Sequence, residues 1–100
     1  RGADLKPTAL LLKAATANVT DRDIIRFLIA RGADTERRDL NGDTPLLIAI
    51  RGNNHRLAAH LIRQGADINV QDAQGESALE LAGRLGEQDL LRLLQRQGAR

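Results

Sequence analysis

The chain has 100 residues, 15 Lys and Arg against 13 Asp and Glu, a formal charge of +2, and no Cys, Met, Trp or Tyr. That length fits one domain, and the missing thiols exclude disulfides and thiolate metal sites. With Phe27 as the single aromatic residue, stacking on bases or sugars is poorly served, and no apolar run approaches the ~20 residues that span a bilayer.

In chain order, Thr8 to Leu12 opens a first helix, and Ile24, Ile25, Leu28 and Ile29 mark the buried face of a second, ended by Gly32. Between them, Thr16 to Thr20 carries three more residues than the later units do, and Thr20 with Asp23 fits a helix cap. Asp39-Leu40-Asn41-Gly42 is a turn, where Asp accepts from the backbone ahead and Gly takes positive φ. Thr44 caps the next helix, with Pro45 at its first position and Leu46, Ile48, Ala49 and Ile50 as its apolar side. Gly52-Asn53-Asn54 breaks that helix; the following one starts near His55, buries Leu57, Ala58, Leu61 and Ile62, and ends at Gly65. Ala66 to Val70 reads as a short extended stretch. The order then repeats. Asp72-Ala73-Gln74-Gly75 is a turn, Ser77 and Glu80 form a capping box, and Leu79, Leu81 and Ala82 face inward. Gly86 breaks the helix, and Leu90, Leu91 and Leu94 line the last one before Gly98.

Two phrases recur at one interval of 33 residues. Gly32-Ala33-Asp34 returns as Gly65-Ala66-Asp67 and Gly98-Ala99, and Thr44-Pro45-Leu46 as Ser77-Ala78-Leu79. A fixed period of this length marks a stacked helical array. On these residues the chain resembles the ankyrin repeat family, over nearly its whole length. The resemblance implies an all-α solenoid of helix-turn-helix units joined by β-hairpin-like loops: a single domain, 1–100, with units at roughly 5–38, 39–71 and 72–100.

The chain departs from that pattern at the His that follows Thr-Pro-Leu, held here by Leu11, Leu47 and Glu80. Ties between neighbouring turns that this His normally makes are therefore in question. Lys13 and Gln95 stand at otherwise apolar inward positions, which suits the polar outer faces of terminal units; the expectation is that both ends of the array are present, or nearly so, and that neither end of the stack is adhesive. Arg1-Gly2-Ala3-Asp4 reads either as a degenerate start or as the tail of an earlier unit.

No residue set points to catalysis. His55 and His60 do not share a helix face, Ser77 is a cap, Asp39 and Asp72 belong to turns, and Gly42, Gly65 and Gly75 each sit where a turn or cap requires glycine. Asn18-Val19-Thr20 matches a glycosylation triplet by pattern alone. The expectation is no enzyme activity, no cofactor, no metal and no small-molecule substrate.

The surface remains. By the family's architecture, hairpin tips and inner helices line one concave face. The positions there that the fold does not require are Arg37, Arg38, Leu40, Asn41, Asp43, Ala73, Gln74 and Glu76 on the hairpins, with Arg51 and Arg84 on the inner helices. They are expected to bind a protein partner, an acidic or amphipathic segment, with the chain as a monomer. The alternative is nucleic acid or anionic lipid held by Arg37, Arg38, Arg51 and Arg84. Charges of both signs mix along the chain, which disfavours it. Without cysteines the compartment is open. The cytoplasm is favoured, and the periplasm or exterior fits if a signal segment preceded Arg1.

Overall fold

Helix starts are written into the chain as caps. The computed structural model describes residues 6–99, so the phrase Arg1-Gly2-Ala3-Asp4 lies outside the described residues. Six helices follow one another: α1 (Lys6–Thr16), α2 (Arg22–Ala30), α3 (Pro45–Arg51), α4 (His55–Arg63), α5 (Ala78–Arg84) and α6 (Gln88–Arg96). Thr44 Oγ1 accepts from the Leu47 amide at the head of α3, with Pro45 in the first turn. Ser77 and Glu80 cap α5 reciprocally, at 3.1 and 2.9 Å. Asn54 Oδ1 accepts from the Leu57 amide at the head of α4. Each such cap satisfies an amide that has no partner within its helix, and is worth about 1 kcal/mol.

The helix ends share one motif. In all six, the residue one past the C-cap has positive φ; it is Gly32, Gly65, Gly86 and Gly98 in four helices and Asn18 and Asn53 in α1 and α3. Behind α4, the Gly65 amide reaches Ile62 O and the Ala66 amide reaches Leu61 O, so two terminal carbonyls are satisfied together.

The structure shows which residue of the expected break Gly52-Asn53-Asn54 turns the chain, and it corrects the sequence reading in three places. The residue that turns the chain after α3 is Asn53, at φ 53°, while Gly52 lies at φ −89°. Gly52 instead lies close to the preceding unit: a Cβ there would stand 2.6 Å from Asn18 Oδ1, so the Asn18 side chain would have to swing aside. Aligning Asn18 with Asn53 leaves two extra residues in the first unit, Val19 and Thr20, and not three. The cap of α2 is Asp21, whose carboxylate accepts from the Asp23 amide, and not Thr20. Lastly, Ala66 to Val70 is not extended, because Asp67 Oδ1 draws in the Asn69 amide and folds the stretch into a turn.

The helices pack as three pairs, α1 on α2, α3 on α4 and α5 on α6. Inner helices α1, α3 and α5 form one row and outer helices α2, α4 and α6 a second. Buried Ala15, Ala49 and Ala82 keep the inner row close, and buried Leu57, Leu61, Leu90 and Leu94 fill the outer one. Among the described residues there is no strand, only one antiparallel bridge between Gln71 and Ser77. The fold is the expected all-α repeat array. Lys13 and Gln95 are exposed as anticipated, but the end of the stack formed by α1 and α2 is not polar: Leu10, Ile24 and Phe27 lie open on it.

Candidate protein-binding surface

Each hairpin is built around one aspartate. Asp39 Oδ1 accepts from the Asn41 and Asp43 amides, while the Asp39 amide donates to Asp43 O. Asp72 does the same with the amides of Gln74 and Glu76, and its own amide donates to Glu76 O. A carboxylate takes two amides better than a neutral side chain would, and Gly42 and Gly75 supply the positive φ that closes each loop. The Glu76 amide, then the Gln74 amide and Arg51, hold the Asp72 carboxyl below its ordinary range.

The hairpins are clamped to the inner helices by arginines. Arg51 donates to Asp43 at 2.8 and 3.3 Å and, across the unit boundary, to Asp72 at 2.8 Å. Arg84 repeats the first contact on Glu76, at 2.7 and 3.0 Å, and this hydrogen bond lowers the Glu76 carboxyl's affinity for protons. Arg38 reaches Gly42 O at 2.6 Å and Gln71 O at 2.8 Å. The Glu36 carboxylate accepts from the Asp67 amide, and Thr8 Oγ1 from the Asp34 amide. The Arg38–Gln71 and Glu36–Asp67 bonds join neighbouring loops, and the Thr8 bond ties α1 to the turn behind α2.

The ten expected contact positions therefore divide. Arg38, Asp43, Arg51, Glu76 and Arg84 are engaged within the chain, tying the hairpins to the inner helices and to one another. Arg37, Leu40, Asn41, Ala73 and Gln74 are exposed at the tips, with no side-chain hydrogen bond or ion pair among the described residues. Leu40 is open to solvent over its whole surface, at 106% of its reference exposure. Of the four arginines considered for polyanion binding, Arg37 alone has its guanidinium free of such bonds among the described residues.

Elsewhere the polar side chains have local tasks. Ser77 Oγ accepts from the Glu80 amide. Among the described residues, no group of three or more His, Asp or Glu could hold a metal ion, and no helix is long and apolar enough to cross a membrane.

Paired helices closed by glycine or asparagine and a row of clamped hairpins define the stacked-repeat class of binding scaffolds. Residues 10–100 match the family model of ankyrin repeats in three copies. The chain belongs to the ankyrin repeat family. A stretch of 40 residues, 40% of this chain, is 50% identical to an ankyrin repeat protein of Acanthamoeba polyphaga mimivirus, and spans 6% of that relative's length. Ankyrin repeats are generally protein–protein interaction modules and generally not enzymes.

Proposed function

We propose that this chain is a non-catalytic module that binds a protein partner through its hairpin tips and the adjoining inner-helix face. One observation carries the reading: Leu40, an apolar side chain at 106% exposure, stands at the tip of a loop whose backbone is fixed by Asp39 and whose flank is fixed by Arg38. An apolar anchor on a rigid mount loses little ordering entropy when a partner covers it. Arg37 beside it offers a planar set of donors to a carboxylate. The partner is an amphipathic protein segment bearing acidic side chains.

A photo-crosslinking side chain at position 40, and at exposed Arg63 on the outer row as control, tests this in the native source. Crosslinks to one protein from position 40, absent from position 63 and lost with Arg37→Glu, are expected. Equal products from both positions would sink the assignment. A gel shift with nucleic acid that weakens steeply as salt rises would replace it with the polyanion reading.

A further inference from the structure

We infer that the end of the stack formed by α1 and α2 is the seat of another ankyrin helix pair, one that precedes Arg1 in the natural polypeptide.

The inner helix shows the vacancy first. Along α1 and just behind it, Leu10, Lys13, Ala14 and Ala17 line one shallow apolar groove together with Ile24 of α2. When Asn18 is set on Asn53, these four fall on Pro45, Ile48 and Ala49 of α3 and on its C-cap Gly52. That stripe of α3 packs against the preceding unit: Ala49 is fully buried, and Gly52 closes on Asn18.

The outer helix repeats the pattern. Ile24 and Phe27 of α2 correspond to Leu57 and His60 of α4, and to Leu90 and Leu93 of α6. Leu57 and Leu90 are 0% exposed, whereas Ile24 is 45% exposed and Phe27 56%. The same surface is thus covered twice within the chain, each time by a preceding helix pair, and left open once. Lys13 does not spoil it. Its counterpart Ile48 is only half-buried, so the lysine stem can lie on the apolar surface with its ammonium in water.

The sequence says what covers it. Arg31-Gly32-Ala33-Asp34 follows α2, and Gln64-Gly65-Ala66-Asp67 follows α4. In the described residues the phrase stands directly behind an outer helix. Arg1-Gly2-Ala3-Asp4 repeats it letter for letter, which marks the residues upstream as an outer helix. A second copy fits less well. The opposite end of the stack exposes Gln95, Arg84 and Glu80, and face-to-face pairing of two copies would oppose their Lys13 side chains.

The chain lacks cysteine, so Phe27→Cys places one thiol on this face. Its maleimide labelling, mapped by mass spectrometry, is compared between the 100-residue chain and the natural polypeptide with its upstream residues. Labelling at position 27 is expected to slow about tenfold or more in the longer polypeptide, since reaction then needs local opening. Arg92→Cys, on the exposed side of α6, is expected to label alike in both. Ile24→Cys repeats the measurement should Phe27→Cys prove unstable. Equal rates at position 27 would overturn the inference, as would a natural polypeptide without a helix pair before Arg1. A dimer of the 100-residue chain that Ile24→Glu dissociates would assign the face to a second copy instead.

Discussion

Glu87 shows how one side chain can sit in the right place with the wrong reach. It holds the N-cap of α6, as Asn54 does for α4 and Asp21 for α2, but makes no capping bond. One carboxylate oxygen, Oε1, is buried without a hydrogen-bond partner among the described residues, and burial raises the carboxyl's pKa. An acid whose folded pKa lies above its unfolded one opposes folding while ionised, and the opposition fades as pH falls through the folded value. Glu87→Asn is therefore expected to raise stability by about 1 kcal/mol at pH 7, read as a higher urea midpoint, with the gain shrinking under acid conditions. An unchanged midpoint at neutral pH would mean that the α6 amides are already well served by water. The caps at Thr44 and Ser77 were legible because Pro45 and Glu80 confirm them in sequence. Asp21 was not. Thr20 and Asp21 are both capping residues, and their order becomes clear only once Val19 and Thr20 are recognised as the insertion.

At the scale of the element, the hairpins owe their rigidity to charge pairs that bind them to the inner helices. Arg51 holds its own hairpin through Asp43 and the next through Asp72, whereas Arg84 hydrogen-bonds Glu76 alone among the described residues. Arg51→Ala should cost about 1–3 kcal/mol of unfolding free energy, and Arg84→Ala clearly less, since Arg84 is more exposed and joins nothing across a unit boundary. Equal urea midpoints for the two variants would argue that the cross-boundary bond is idle. Asp72 and Glu76 both have lowered folded pKa values. Their contribution is present above the ordinary carboxylate range and is lost as pH falls through the folded values. Midpoints measured from pH 7 down to pH 3 should drop, and the drop should be smaller in Asp72→Asn. An identical slope in that variant would place the acid sensitivity elsewhere. The turns themselves were readable, because Asp-x-x-Gly states its own hydrogen bonds. The division of labour among arginines was not. Arg37 and Arg38 are adjacent and alike, and only the path of the backbone sends Arg38 to Gln71 O while Arg37 stays in solvent.

For the whole molecule, order along the chain becomes order in space, and this governs how damage spreads. The period of 33 residues made the stacking legible before any coordinate. It does not reveal the open end, because the charge of Lys13 interrupts in sequence the apolar surface that Leu10, Ala14 and Ala17 share with it in space. Within the stack, α4 touches α2, α3 and α6, while α6 touches α4 and α5. Leu61 of α4 and Leu94 of α6 are both fully buried and chemically alike. Either Leu→Ala change removes the same atoms and should cost about 2–5 kcal/mol locally. The consequences should differ. A cavity at Leu61 weakens contacts on both sides, so the whole array loses amide protection together. A cavity at Leu94 weakens only the last pair, which can open while its neighbours stay folded. Hydrogen exchange read residue by residue should show, for Leu94→Ala, faster exchange confined to α5 and α6, and for Leu61→Ala, faster exchange from α1 through α6. Uniform loss in both variants would mean that three helix pairs behave as one cooperative core, and that the repeat period governs shape but not the spread of unfolding.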